Sequence, residues 1–226
     1  MLKINSNFIE GVIFDMDGLM FDTEKVYTLT WPIAAREFGY TVTEEQIIGA
    51  VGLNAEAGRK YFEGLFGEDF PFYPIRIRRL EIAHDYIEKN GLPAKPGLYE
   101  LLDFLSKNDI PMAIATSSER SKAEWYLELS ALRDTFDAVI CGDDVIKSKP
   151  DPQIFNTAAQ RLGANPENCI ILEDSLSGSE AAIATGGYAI MIPDYKEPTY
   201  ELRKNLFSVL SNLNKVIEIF DKQGNI

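Results

Sequence analysis

The 226-residue chain has one histidine, His84, and two cysteines, Cys141 and Cys169. A single histidine argues against a multi-histidine metal site and against a Ser-His-Asp triad. Each cysteine lies in or beside an apolar run, which reads as a small buried core residue rather than half of a disulfide or metal pair. Long apolar runs are missing too. None approaches the ~18 residues of a membrane span, and no N-terminal signal pattern is visible. With no disulfide spacing either, the expected location is cytoplasmic. Positive charge is scarce: 22 Lys and Arg stand against 35 Asp and Glu, a formal net charge of −13. No basic patch stands out that could release counterions from a nucleic acid, so no such partner and no membrane is expected. A small phosphorylated substrate stays compatible with this balance, since one local cationic pocket can outweigh a global field that otherwise serves solubility. Repeats and low-complexity segments are absent.

Hydrophobic residues are present at an ordinary 46%, enough for a large domain or a domain plus a smaller one. The stretch that organises the rest is Val12-Ile13-Phe14-Asp15-Met16-Asp17-Gly18. Its apolar part is too short for a helix and reads as a buried strand, which puts Asp15 and Asp17 at the strand's end. Ligands of open α/β sheets bind beyond the carboxyl ends of strands. Two like charges there are costly without a cation or partner hydrogen bonds, although a solvated acidic turn would also fit this stretch alone.

From Glu24 to Lys89 the pattern is helical. Apolar spacing predicts helices over 24–38, 55–66 and 74–89, with Pro32 as a possible kink. Thr43-Glu44-Glu45-Gln46 is a capping-box start for another. A Pro/Gly-rich connector, Asn90 to Gly97, follows. Beyond it helices alternate with strands at 110–115, 138–140, 169–172 and 188–192. The helix from Pro152 is expected to take Asp151 as N-cap, the next to begin with a capping box at Ser177, and residues 200–221 to form a helical tail. Five strands alternating with helices imply an α/β fold with a parallel sheet. The helical block is then an insertion after the first strand, a lid above Asp15 and Asp17.

Three strands end in polar groups: Asp15 and Asp17, Thr116, and Glu173 with Asp174. Lys149 precedes a helix. Asp15, Glu173 and Asp174 gathered in a cleft would repel strongly unless a hard cation sat between them, and Mg²⁺ is the default for oxygen ligands. Lys149 would add a compact positive charge and Thr116 a donor, which together make a phosphoryl pocket. A shielded Asp15 could attack phosphorus, and Asp17 could protonate the leaving oxygen and then take a proton from water. Singly, each residue has a blander reading: Thr116 as a satisfied strand-end hydroxyl, Lys149 as a solvated loop lysine, Glu173-Asp174 as an acidic pair favoured at a helix start.

The ordered segments Phe14-Asp15-Met16-Asp17-Gly18, Ala115-Thr116-Ser117-Ser118, Lys149-Pro150-Asp151-Pro152 and Leu172-Glu173-Asp174-Ser175 resemble the four motifs of the haloacid dehalogenase superfamily. The resemblance spans almost the whole chain. It implies a Rossmann-like core of residues 1–18 and 93–226 with an all-helical cap over 19–92, and Mg²⁺-dependent phosphoryl transfer. By that resemblance Asp15 is nucleophile, Asp17 acid/base, Thr116 the phosphate-binding hydroxyl with Ser117 beside it, and Lys149 a bridge between nucleophile and phosphate. Asp15, the Asp17 carbonyl and Asp174 would hold the metal, with Glu173 acting through water.

Similar family members include β-phosphoglucomutase and sugar-phosphate phosphatases. The mutases share a segment like Phe21-Asp22-Thr23-Glu24 but carry a histidine where this chain has Tyr27, and a cap-loop arginine where this chain has none until Arg59. A phosphatase of small phosphorylated metabolites survives both departures; a mutase is the alternative, and a non-catalytic binding protein a third. Asp17 speaks against dehalogenation, in which no oxygen leaving group needs a proton. Glu24, Asn54, Ser118 and Arg120 are the candidate substrate-facing residues. Arg76, Arg78 and Arg79 form a basic cluster that reads as a solvated helix face. Oligomeric state is open, with a monomer as the default.

Overall fold

The structure, a computed structural model, describes residues 2–4, 7–51, 53 and 55–221. It divides into two compact units, Met1–Phe21 with Pro93–Ile226, and Asp22–Leu92.

The first unit opens with a hairpin of β1 (Lys3–Ile4) and β2 (Asn7–Phe8), then β3 (Gly11–Phe14). All four residues of β3 are buried. That accounts for its unbroken apolar run, because a strand inside a parallel sheet has no solvent face. Among the described residues the regular elements of the second unit are all helices: α1 (Thr23–Glu37), α2 (Glu44–Ala50), α3 (Ala55–Phe66) and α4 (Phe72–Asn90). The first unit then continues with α5 (Leu98–Lys107), β4 (Met112–Ala115), α6 (Arg120–Leu129), β5 (Ala138–Ile140) and α7 (Gln153–Leu162). It ends with β6 (Cys169–Glu173), α8 (Leu176–Ala184), β7 (Tyr188–Met191), α9 (Tyr200–Asn205), β8 (Ser208–Val209) and α10 (Asn214–Asp221).

Six strands make one parallel sheet in the order β5-β4-β3-β6-β7-β8. The chain runs outward from β3 through β4 to β5, then returns to the other side of β3. Sheets of this kind open a ligand crevice at such a reversal. Phe14 lies opposite both Ile114 and Leu172. Asp15, Thr116 and Glu173 therefore leave three neighbouring strands at the same end. Beneath them α7 buries Ile154, Phe155, Ala158 and Ala159 at helical spacing against Ile13, Ala113 and Ile171.

In the helical unit the core is aromatic. Trp31 stacks on Phe62 with ring centroids 4.8 Å apart, and Phe70 and Phe72 close around them. The helix α1 continues past Pro32 to Glu37. The Thr43 capping box forms: the Thr43 N–H donates to Gln46 Oε1 at 2.9 Å, and the Gln46 N–H returns to Thr43 Oγ1. The arginine cluster is more than a solvated face. Arg78 donates to Glu37 and Glu81, and the Arg79 guanidinium lies 4.5 Å from the Tyr27 ring centroid and 5.3 Å from that of Trp31.

Three expectations are corrected. The tail over 200–221 is not one helix: α9 stops at Asn205 and β8 joins the sheet beside β7. The Phe207 N–H donates to the Ala189 carbonyl and the Leu210 N–H to that of Met191, so the open edge of β7 captures a segment whose helical pattern is weak. The helix α7 begins at Gln153 with Pro152 as N-cap, although Asp151 still accepts the Gln153 N–H at 3.0 Å. The helix α8 is capped by Ser175, not Ser177; the Ser175 hydroxyl accepts the Gly178 N–H. Both cysteines are free and fully buried. Burial pushes the Cys141 thiol up to about 11 and Cys169 up to about 12.

Candidate functional site

The cluster is built around the Lys149 ammonium, which reaches under the ends of β3, β4 and β6. It donates to Asp15 Oδ1 at 2.5 Å, to Glu173 Oε1 at 2.7 Å and to the Ala115 carbonyl at 3.1 Å. The Phe155 ring centroid lies 4.6 Å from it. The Lys149 side chain is 6% exposed, and those of Asp15 and Glu173 are 9% and 2% exposed. Glu173 is anchored from behind as well: its Oε2 accepts the Asp174 and Ser175 N–H groups and the Ser175 hydroxyl. A side chain on Gly178 would overlap the Glu173 carboxylate, so the first turn of α8 must be bare at that position.

The turn after β3 brings Asp174 in. Gly18 has φ +85°, a left-handed conformation, and any Cβ there would run into Asp174 Oδ2. Among the described residues no hydrogen bond reaches the Asp174 carboxylate. Asp194, after the end of β7, lies on the same side of Gly18 and is paired with Lys95 at 2.5 Å.

Asp17 sits 24% exposed at the rim. Its Oδ2 accepts the Ser118 hydroxyl at 2.6 Å, and its Oδ1 accepts the Lys122 ammonium at 2.8 Å. The buried Thr116 hydroxyl accepts the Ser118 N–H at 3.1 Å, which leaves its own hydrogen to donate. This loop is pinned to the end of β5 by the Gly142 N–H on the Ser118 carbonyl. Ser117 is exposed. Arg120 does not join the cluster: its guanidinium donates to the Val139 carbonyl and to Asp144. Glu24 is half-buried in the first turn of α1, in the helical unit. Asn54 lies outside the described residues.

Sequence reasoning missed Lys122, Lys95 and Asp194. A signal existed for two of them. Lys122 falls one helical turn beyond Ser118, and Asp194 follows the end of a strand, like the acids already singled out.

The charges do not balance within the protein. With every group ionised, five carboxylates (Asp15, Asp17, Glu173, Asp174 and Asp194) would meet three ammonium groups (Lys95, Lys122 and Lys149) and leave two negative charges. Burial pushes the Asp15 carboxyl up to about 7, Lys149 pulling down and Glu173 pushing up. Burial also raises Asp174, helped by Glu173, Asp15 and Asp194. Loss of water alone would lower the Lys149 pKa, but the two facing carboxylates outweigh it and raise it. Ligand atoms of Asp15, Glu173 and Asp174 lie within 4.8 Å of one another. An all-oxygen donor set with a surplus of two negative charges and a desolvated carboxylate lacking donors has the chemistry to hold one divalent cation.

Acids, a buried lysine and a hydroxyl at the carboxyl edge of a parallel sheet are the arrangement of an α/β enzyme, whose ligands bind at that edge. The family described as haloacid dehalogenase-like hydrolase matches residues 12–192, and this chain belongs to it. A Thermotoga maritima protein named phosphorylated carbohydrates phosphatase is 34% identical over 191 residues, covering 79% of this chain and 82% of that one. A Drosophila melanogaster protein provisionally named pseudouridine-5'-phosphatase is 32% identical, covering 80% of each chain. Among solved structures, one from Thermotoga maritima provisionally called a beta-phosphoglucomutase superimposes with a TM-score of 0.80 at 27% identity, covering 95% of this chain and 99% of that one. The chain is a hydrolase with the Rossmann-like fold of that family.

Proposed function

We propose that this hydrolase is a Mg²⁺-dependent phosphatase of small phosphorylated metabolites, sugar phosphates foremost, acting through an aspartyl-phosphate on Asp15. The observation that carries the reading is the buried Lys149 ammonium 2.5 Å from Asp15 Oδ1, with the Thr116 hydroxyl, its own hydrogen left to donate, at the end of the neighbouring strand. A carboxylate can approach an anionic phosphate only where such charges shield both.

In the first step an Asp15 oxygen bonds to phosphorus while the bond to the ester oxygen breaks, and Asp17 gives that oxygen a proton. In the second, a water oxygen bonds to phosphorus, the bond to Asp15 breaks, and Asp17 takes the water's proton. Free phosphate leaves and both carboxyl groups return to their starting states. Lys149 and Thr116, with Ser117 next to it, hold the phosphoryl oxygens. Asp15, Asp174 and the Asp17 carbonyl would bind Mg²⁺, with Glu173 reaching it through a water while anchoring Lys149. Mg²⁺ when bound neutralises charge on the phosphoryl oxygens. Leaving-group selection falls to the helical insertion, where Glu24 and Asn54 are the candidates, and to Ser118.

The substrate class is supported by the relatives named above. Phosphorylated carbohydrates and pseudouridine 5'-phosphate both carry phosphate on a polyhydroxylated carbon skeleton. A mutase is disfavoured. The position of its histidine holds Tyr27, and Arg59, the first arginine after that loop, is committed to Glu56 and Glu63. The test is phosphate release from a panel of phosphate monoesters with Mg²⁺. The wild type should hydrolyse some of them, chelation should stop it reversibly, and Asp15→Asn should abolish it. Full turnover by Asp15→Asn, or metal binding without release from any ester, overturns the proposal.

A further inference from the structure

We infer that Lys122 is a positioning residue for Asp17, fixing it where a leaving-group oxygen is protonated; this rests on the phosphatase reading above. The Lys122 ammonium donates to Asp17 Oδ1 at 2.8 Å and to Ser118 Oγ at 3.1 Å, while Ser118 Oγ donates to Asp17 Oδ2 at 2.6 Å. The three groups close a triangle that engages both oxygens of one carboxylate. A carboxylate bound at one oxygen can swing about its last torsion, which has a broad, shallow profile. Bound at both, from two directions, it has one orientation.

The lysine is itself held. Its ammonium lies 5.1 Å from the ring centroid of the fully buried Tyr126, one turn further along α6, and that ring packs edge-on against Phe21. Lys122, Ser118, Tyr126, Phe21 and Asp17 all belong to the same compact unit. These contacts on Asp17 therefore lie within one compact unit. Other ammonium groups of the cluster are engaged elsewhere: Lys149 on Asp15 and Glu173, Lys95 on Asp194.

A half-exposed ion pair usually adds little to stability, between about 0 and 1 kcal/mol. The inferred role therefore separates from a structural one. Lys122→Met is expected to leave thermal unfolding nearly unchanged yet lower kcat. General acid–base groups contribute about 10²–10⁴-fold, so partial misplacement should cost roughly 10- to 100-fold on an alkyl phosphate such as glucose 6-phosphate, with KM little changed. For p-nitrophenyl phosphate, whose phenolate departs without a proton, the loss in kcat/KM, which reports the first step and not the later attack of water, should stay below about threefold. Lys122→Arg, which keeps a donor on Asp17, should recover most of the loss. Equal losses of kcat/KM on both esters, an unchanged kcat/KM on the alkyl ester, or failure of Lys122→Arg to recover activity overturns the inference. A wild type inert to every ester removes the phosphatase reading itself, which is seen in the control before any variant is compared.

Discussion

Freed of divalent ions by a chelator, the protein should lose stability as the pH rises from about 5 to 8, the reverse of ordinary acid lability. Burial holds the Asp15 carboxyl at about 7 against an ordinary 3.8. A folded-state pKa above the unfolded one stabilises the fold fully below about pH 3.8, and the benefit is lost as pH passes through about 7. A shift of this size makes Asp15 alone remove on the order of a few kcal/mol between about pH 5 and 8. Asp174 is shifted the same way and deepens the fall. The lowered pKa values of Glu10, Glu37 and Glu56 act in the opposite sense, but below their ordinary 4.5 and so outside the window. For a chain of this size the loss corresponds to about 5–10 °C in Tm. Thermal unfolding followed by circular dichroism across this pH range in chelator measures it. Mg²⁺ at about a hundredfold excess over its dissociation constant should restore roughly 2.7 kcal/mol, and more effectively at higher pH, where no proton competes. Asp15→Asn should reduce the slope, leaving the part that Asp174 contributes. A flat or rising Tm in chelator, or an unchanged slope in Asp15→Asn, refutes the reasoning.

Lys149→Met should cost about 3–5 kcal/mol in denaturant unfolding, because it strands two buried carboxylates; adding Asp15→Asn to it should recover part of that loss. Gly178→Ala should destabilise the core by about 1–3 kcal/mol or more, since its methyl overlaps the Glu173 carboxylate, and solubility and Tm would report it. Cys141 and Cys169, buried with thiols pushed up by burial, should react with a thiol reagent only on unfolding; labelling of either in the native protein contradicts the packing described.

The sequence alone carried the local grammar. The run at Val12-Ile13-Phe14 could only be a core strand, since nothing in it pairs with water, and Thr43 with Gln46 wrote its own cap. The order of polar strand ends pointed to Asp15, Thr116 and Glu173, because strands of a parallel sheet bring their ends to one edge, and Lys149 stood out as a cation just before a helix. Tertiary structure alone decided what depends on a distant partner. Residues 208–209 became a strand because β7 offered an open edge, not because of their own pattern. Arg120, adjacent in sequence to the cluster, turned to Val139 and Asp144, while Lys122 two residues on reached Asp17 across 105 positions. The unbalanced charge, and the Asp15 pKa raised chiefly by burial, exist only where these groups are gathered away from water, which composition cannot encode.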